Sequence, residues 1–472
     1  MLVSWWSLED LFPAMLCITA AAFVLAAMGR VVTSRPGLLL VLFFFFFAFA
    51  WRLFSVLYIG VFGPVYSEQL ERDIGPGLAV LPLAASQGLV IAALLFSFRP
   101  QRLLSFSDKS VIRVSALLKA GNWNLPDLAF RVVGLFVLAL WLELLVRGHV
   151  PLFAGLERFD YTRLHGGPLH QRLLEWGPML AFQLGIFLAL PVLHGQPLDK
   201  RFGALFVALL LYLFLVGHRF SSFYLYVSFF VIPSGVVLLA RQSISPISLP
   251  KLLRNIWLPA LGFVLLIALA LIYSYVVVRG RDLGVLETKL VQRILVQQGE
   301  LWWMTYERVF LRNDWDSARA IFKLFVAPFD PSRNTTLPFL METGLPLERA
   351  HFILQQGAAY TGGWPEVAFE LGGPVEGFCL VAISAMLFSE FLFLLTRCIV
   401  EERYITCFFL TPIFYPFSIF LVSGMVNSFI QLTFMIKLAA AVFAYVLEDR
   451  WRWSLITGAA SVRGEPVERD QR

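Results

Sequence analysis

Residues 361–396 read TGGWPEVAFELGGPVEGFCLVAISAMLFSEFLFLLT. From Pro374 onward the run is predominantly apolar for 23 residues, and its only charges are Glu376 and Glu390. At about 1.5 Å per residue, a helix of that length crosses the ~30 Å hydrocarbon core of a bilayer. The first half differs. Residues 361–378 hold five glycines, two prolines and three glutamates. Glu366 and Glu370 stand four apart and share one face of a helix. Gly372-Gly373-Pro374 then breaks the backbone, and proline suits the first turn of a new helix. The stretch therefore reads as an exterior segment returning into a membrane.

The whole chain agrees. Its 472 residues are 58% hydrophobic and 15% charged, with mean hydropathy +0.74. A soluble domain carries roughly 25% charged residues. Apolar runs predict about eleven membrane helices, at 11–29, 38–63, 77–98, 128–147, 176–194, 203–217, 221–240, 256–278, 374–396, 405–423 and 428–447. Strand alternation is absent, and in lipid the backbone must bond to itself, so the fold class is all-α and polytopic. Pro82, Pro233 and Pro412 fall inside helices, where bundle neighbours tolerate them.

The net charge of +6 and the pI near 9.2 report orientation rather than nucleic-acid binding. Lys and Arg gather in one set of connections: Arg30 and Arg35, Arg99 to Lys119, Lys200 and Arg201, Arg241 to Arg254, Arg397 and Arg403, and the C-terminal tail. Those connections are expected on the cytoplasmic side, with the N-terminus outside and the C-terminus inside. The N-terminal residues carry no basic n-region, so a cleaved signal peptide is not expected. Cys17, Cys379, Cys398 and Cys407 form no CxxC pair, which supports neither a disulfide framework nor a zinc site.

The expected organisation has four parts. Residues 1–278 hold eight helices and an Arg-bearing exterior loop at 148–175. Residues 279–373 form a large exterior subdomain, 374–447 the last three helices, and 448–472 a cytoplasmic tail. Loops this long are usually functional. Within the large one, LETKLVQRILVQQGELWWMTYERVFL has helical periodicity, and Trp302 and Trp303 are expected at the lipid interface.

Four groups of residues carry chemistry. In the first loop, Arg158, Arg163 and Arg172 accompany Asp160, His165 and His170. The guanidinium fork suits phosphate recognition, although solvated charge pairs give the same pattern. His165 is a candidate proton acceptor. Arg219, in LVGHRFSSF, sits between two apolar segments with almost no loop, where a charge faces a cavity or snorkels to the headgroups. Arg293 lies on the amphipathic helix with Lys289 before it. Arg52, Arg131, Glu143 and Lys437 fall within or near membrane helices, where pairing inside the bundle competes with substrate contact. Glu366 and Glu370 are candidates for binding hydroxyls or for general-base work, against a plainer role in solvating the interface. There is no Walker A, HExxH or GxSxG pattern, and Asp314 and Asp316 in NDWDS are a weak metal signal. No cofactor or catalytic metal is demanded.

The Arg-bearing loop, the joint GHRFSSFYLYVSFF at residues 217–230, the large second-half loop and AAYTGGWPEVAFELGGPVEGF at residues 358–378 together resemble the O-antigen polymerase (Wzy) family and related repeat-unit polymerases. The resemblance covers most of the chain by layout and about 40 residues by motif, including Gly373 and Gly377. It implies a GT-C-type, metal-independent membrane glycosyltransferase of the bacterial inner membrane. Such a protein joins oligosaccharide units carried on undecaprenyl pyrophosphate at the periplasmic face. The growing glycan leaves its pyrophosphate for a hydroxyl of the incoming unit. The implied partners are the lipid-linked donor and acceptor, membrane lipid, a chain-length regulator and a flippase, with no nucleic acid. Arg158, Arg163, Arg172, Arg219 and Arg293 become the expected pyrophosphate and sugar ligands, and Glu366, Glu370 and His165 the expected catalytic groups. The alternatives are an O-antigen ligase and a flippase or transporter for lipid-linked oligosaccharides. A transporter usually has similar halves and midplane charges, whereas this chain has one asymmetric loop.

Overall fold

With no water to bond the backbone, long apolar runs must fold as helices. The computed structural model describes residues 8–104, 125–148, 150–151, 158–218, 220–242, 291–326, 336–355 and 362–463. In chain order these are α1 (Leu8–Ser34), α2 (Gly37–Val41), α3 (Phe43–Phe62), the strands β1 (Val65–Ser67) and β2 (Arg72–Ile74), α4 (Val80–Ser97), α5 (Pro100–Leu104), α6 (Leu125–Arg147), α7 (Arg158–Leu164), α8 (Pro168–Ala189), α9 (Lys200–Leu215) and α10 (Phe220–Gln242). After the gap come α11 (Gln297–Thr305), α12 (Ser317–Ile321), α13 (Thr336–Gly344), α14 (Leu347–Gln355), α15 (Glu366–Val400), α16 (Tyr404–Ser423) and α17 (Leu432–Arg463). Among the described residues, eight helical stretches are long and apolar enough to cross a membrane: Leu11–Ser34, Phe43–Phe62, Val80–Ser97, Leu125–Arg147, Pro168–His194, Ser222–Arg241, Glu366–Val400 and Tyr404–Ser423. The protein is an all-α polytopic membrane protein. The runs at 203–217 and 428–447 are helical as α9 and α17 but are not among the eight. Helix α9 has only 16 residues. The run at 256–278 lies outside the described residues.

The contacts divide the chain into two units that interleave along the sequence. The first comprises residues 1–99, 247–391 and 416–431; the second comprises 100–246, 392–415 and 432–472.

In the first unit, α3 turns Phe45, Phe49, Leu53, Val56 and Ile59 inward. The spacing is the three-and-four pattern of a buried helical stripe. Helix α11 lies on α3 at Gly299, where a Cβ would come within 2.9 Å of Ser55 Oγ and of Ile59. The chain enters α11 through a π-helical turn, Gln292–Val296. That turn offers its carbonyls to α3: Trp51 Nε1 donates to Ile294 O at 2.8 Å, and Ser55 Oγ donates to Leu295 O at 2.9 Å. The expectation that Trp302 and Trp303 rest on lipid is corrected here. Trp302 is fully buried, donates Nε1–H to Ala79 O at 2.7 Å and meets the Phe369 ring, while Trp303 packs over Gly77. A buried indole needs a partner for its N–H, and the backbone ahead of α4 supplies it.

Residues 362–378 form a helical hairpin. Helix α15 begins at Glu366, not at Pro374, and is kinked at Gly373, whose φ of 70° and ψ of −166° are non-helical. Residues 366–372 run antiparallel to the segment after the kink. Phe369 meets Phe378 at 4.9 Å between ring centroids, and Trp364 Nε1 donates to Ser384 Oγ at 3.4 Å. Ser384 is ten residues beyond Pro374, so Trp364 lies about 15 Å back along the helix from the kink. Trp364 also stacks on Phe49 at 5.6 Å. The chain thus reaches Trp364 first, climbs to Gly373 and turns back into the membrane helix. Trp315 covers the apex.

In the second unit, α8 packs against α9 and α10, with Gly185 against the backbone of Phe230 and the Phe206 and Phe230 rings stacked at 3.8 Å. Buried Arg403, in the turn between α15 and α16, bonds Glu401 at 2.6 Å and Asp449 at 2.9 Å and lies over Tyr445.

Candidate functional site

The hairpin of the first unit carries both glutamates singled out from sequence. Glu366 is 0% exposed and pairs with Arg52 of α3, whose Nη1 also donates to Trp364 O. Glu370, one turn later, is buried and pairs with Arg308. Arg308 donates its other arm to Asp314 O at 2.9 Å, and burial pulls its pKa below the usual arginine value. Buried charges demand opposite charges. The i,i+4 spacing therefore serves to fix one side of the hairpin at two heights, to α3 through Arg52 and to the turn Tyr306–Leu311 after α11 through Arg308. Neither glutamate lines the cavity described next.

That cavity, of about 200 Å³, is bounded by Glu68, Gln69, Gln292, Arg293, Gln297, Glu300, Arg349 and Ile353. Three elements build it. The β1–β2 hairpin pairs Val65 with Ile74 and Ser67 with Arg72, which fixes the turn carrying Glu68 and Glu71. The π turn and α11 supply Gln292, Arg293, Gln297 and Glu300, and α14 supplies Arg349 and Ile353. Gln292 Nε2 donates to Tyr66 O at 2.8 Å, tying the π turn to β1. Arg349 Nη2 pairs with Glu71 Oε1 at 2.7 Å, and Arg293 is exposed.

Glu300 is the buried acid of this cavity, 1% exposed. Ser67 Oγ donates to its Oε1 at 2.5 Å while accepting from Leu70 N at 3.0 Å, so the hydroxyl's direction is set. Oε2 is buried with no hydrogen-bond partner. Burial, only partly countered by the Ser67 hydrogen bond, raises the Glu300 pKa to about 7, and the Glu68 charge pushes the same way. Nearby Glu307 shows the opposite behaviour. Its hydrogen bond from Arg72, together with Arg312 at 2.6 Å, holds it below the usual carboxylate range.

Of the expected site residues, this unit contains Arg293, which lines the cavity, and Glu366 and Glu370, which stand apart from it in the hairpin. The first-loop residues fall in the second unit. Arg158 begins α7, and Arg163 is exposed. Arg172, 61% exposed, pairs with Glu175 at 2.8 Å and lies over Trp176. His165 is half-buried, and its carbonyl accepts from Arg147 Nη1 at 2.9 Å. Arg219 lies outside the described residues. Buried His170 is held at both ring nitrogens, with Tyr212 OH at 3.0 Å on Nδ1 and Thr162 Oγ1 at 3.2 Å on Nε2. Asp316 of NDWDS caps α12, accepting from Arg319 N at 3.0 Å. Among the described residues no group of three or more His, Cys, Asp or Glu is arranged to hold a metal.

Sequence reading passed over Glu300, Arg308 and Arg349. One signal for Glu300 was present. It lies four residues from Val296 and four from Met304, both buried, so it occupies the apolar face of its helix.

A family described as a family of unknown function (DUF6418) matches residues 330–438, which include α13, α14, the hairpin and α16. No curated protein matches the chain, and no solved structure does.

Proposed function

We propose that the protein is a GT-C-type, metal-independent glycosyltransferase that polymerises undecaprenyl-pyrophosphate-linked oligosaccharide units at the outer face of the bacterial cytoplasmic membrane. The supporting observation is the cavity in which Arg293 and Arg349 stand with Glu300 and several side-chain amides. Two guanidinium groups match the charge that develops on a departing pyrophosphate, and pre-placed cations stabilise that charge without reorganising. The amides and carboxylates supply the directional bonds that a sugar needs. A glycan on pyrophosphate is already activated, so the transfer draws on no nucleotide.

The test is deletion of the gene followed by gel electrophoresis of surface polysaccharide. The expected product is core carrying one repeat unit. Loss of every capped form would instead favour a ligase or a flippase, and an unchanged ladder would overturn the reading. Arg293→Ala should cut chain extension about 100-fold, the cost of removing one donor to a developing anion. Wild-type chain lengths in that variant would remove Arg293 from the site.

A further inference from the structure

We propose that Glu300 is the proton acceptor of the transfer: its Oε2 receives the hydroxyl of the incoming sugar while Arg293 and Arg349 face the anionic group. This inference rests on the polymerase reading and names the group that the reading leaves open. The hydroxyl oxygen forms a bond to the anomeric carbon. The bond from that carbon to the pyrophosphate oxygen breaks, its electron pair leaves with the pyrophosphate, and the hydroxyl proton passes to Oε2.

Three observations carry it. The first is selection among carboxylates: Glu366 is paired with buried Arg52 and Glu370 with half-buried Arg308, whereas Glu300 has one oxygen fixed by Ser67 and the other without a partner. The second is position, because Glu300 lines the cavity and is itself 1% exposed. A nearly buried acceptor atom at a cavity wall carries a desolvation cost that a ligand O–H relieves. The third is the surrounding charge. The ionisable groups around the cavity are Glu68 on the strand turn, Arg293 on the π turn and Arg349 on α14, and the last is already tied to Glu71. Among the described residues that line the cavity, Glu300 is thus the only buried carboxyl, and its pKa of about 7 suits proton exchange near neutrality.

The experiment uses membranes containing the full-length protein and, as substrate, lipid-linked glycan extracted from the deletion strain. Wild-type extension should fall as the pH drops through about 7, where Glu300 becomes protonated. Glu300→Gln keeps the size and the Ser67 bond but cannot accept a proton, so extension should fall at least about 100-fold, within the range for general-base loss. Glu300→Asp should retain partial activity with its acid limb displaced to lower pH. Equal protein levels and tryptophan fluorescence in the three membranes exclude misfolding. If deletion removes the polymer while Glu300→Gln extends at the wild-type rate, the Glu300 proposal fails and the polymerase reading stands. If deletion leaves the polymer unchanged, the polymerase reading fails and the catalytic role falls with it.

Discussion

Arg52 and Glu366 were both visible as charges in apolar surroundings, but their meeting was not, because 314 positions separate them in the chain. Once paired, each justifies the other's burial. Arg52→Ala should cost about 3–5 kcal/mol, since it strands a buried carboxylate. Replacing both partners together, as Arg52→Met with Glu366→Leu, should recover most of that loss. Thermal unfolding midpoints in detergent read the difference, and a single variant as stable as the double one would show that the pair is not closed in the membrane. Glu300 makes the opposite prediction. Its folded pKa of about 7 lies above the usual 4.5, so between those values the folded state holds more protons than the unfolded state. The contribution of Glu300 to stability is therefore full below about pH 4.5 and is lost as pH rises through about 7. Glu300→Gln should match wild type near pH 4 and exceed it by up to about 3 kcal/mol near pH 8. A buried acid that destabilises the fold at working pH is the pattern of a residue kept for chemistry.

The hairpin shows what elements do and do not reveal in sequence. Gly372-Gly373-Pro374 was legible as a break, and Pro374 does begin a straight helical run after it. The helix before the break was not legible as part of a hairpin. Backbone propensity signals a turn, but the direction of the incoming chain is set by distant contacts: Trp364 on Phe49 and Ser384, and Gly363 against the carbonyl of Ser423. The same limit explains the tryptophans. Trp302 and Trp303 sit on a helix whose pattern suits either lipid or a core, and only Ala79 and Gly77, more than 220 positions away, decide it. Gly373 supplies the element-scale test. A Cβ there would come within 2.5–2.9 Å of Trp315, and the φ of 70° is unfavourable for any side chain. Gly373→Ala should lose about 1–3 kcal/mol. Gly88→Ala on α4, where a Cβ meets nothing within 4 Å, should gain roughly 0.5–1 kcal/mol from helix propensity. Melting the two variants side by side checks the hairpin, because a neutral Gly373→Ala would mean that the apex is not turned as described.

At the scale of the whole molecule, the apolar runs made the membrane class plain, while the side of each connection depends on which runs cross. One contact constrains that count. Arg349 pairs with Glu71, so both residues lie on one side of the membrane and an even number of crossings separates them. Four of the eight candidate spans lie between them: Val80–Ser97, Leu125–Arg147, Pro168–His194 and Ser222–Arg241. Helix α9 and the apolar run at 256–278 are the two further runs in that interval. Parity requires that both cross or that neither does, and the charge bias of the connections favours both, with Glu71 and Glu348 outside. Lys200 follows three of the spans after Glu71 and must be on the opposite side in either case. Single cysteines decide the matter in a Cys379→Ala background, which removes the exposed native thiol. In spheroplasts treated with an impermeant maleimide, Glu71→Cys and Glu348→Cys should label and Lys200→Cys should label only after permeabilisation. Arg219→Cys, between α9 and α10, should label from outside if α9 and the run at 256–278 both cross and only after permeabilisation if neither does. Labelling of Glu71→Cys and Glu348→Cys from opposite sides would break the pairing of Arg349 with Glu71, and with it the cavity that those residues close.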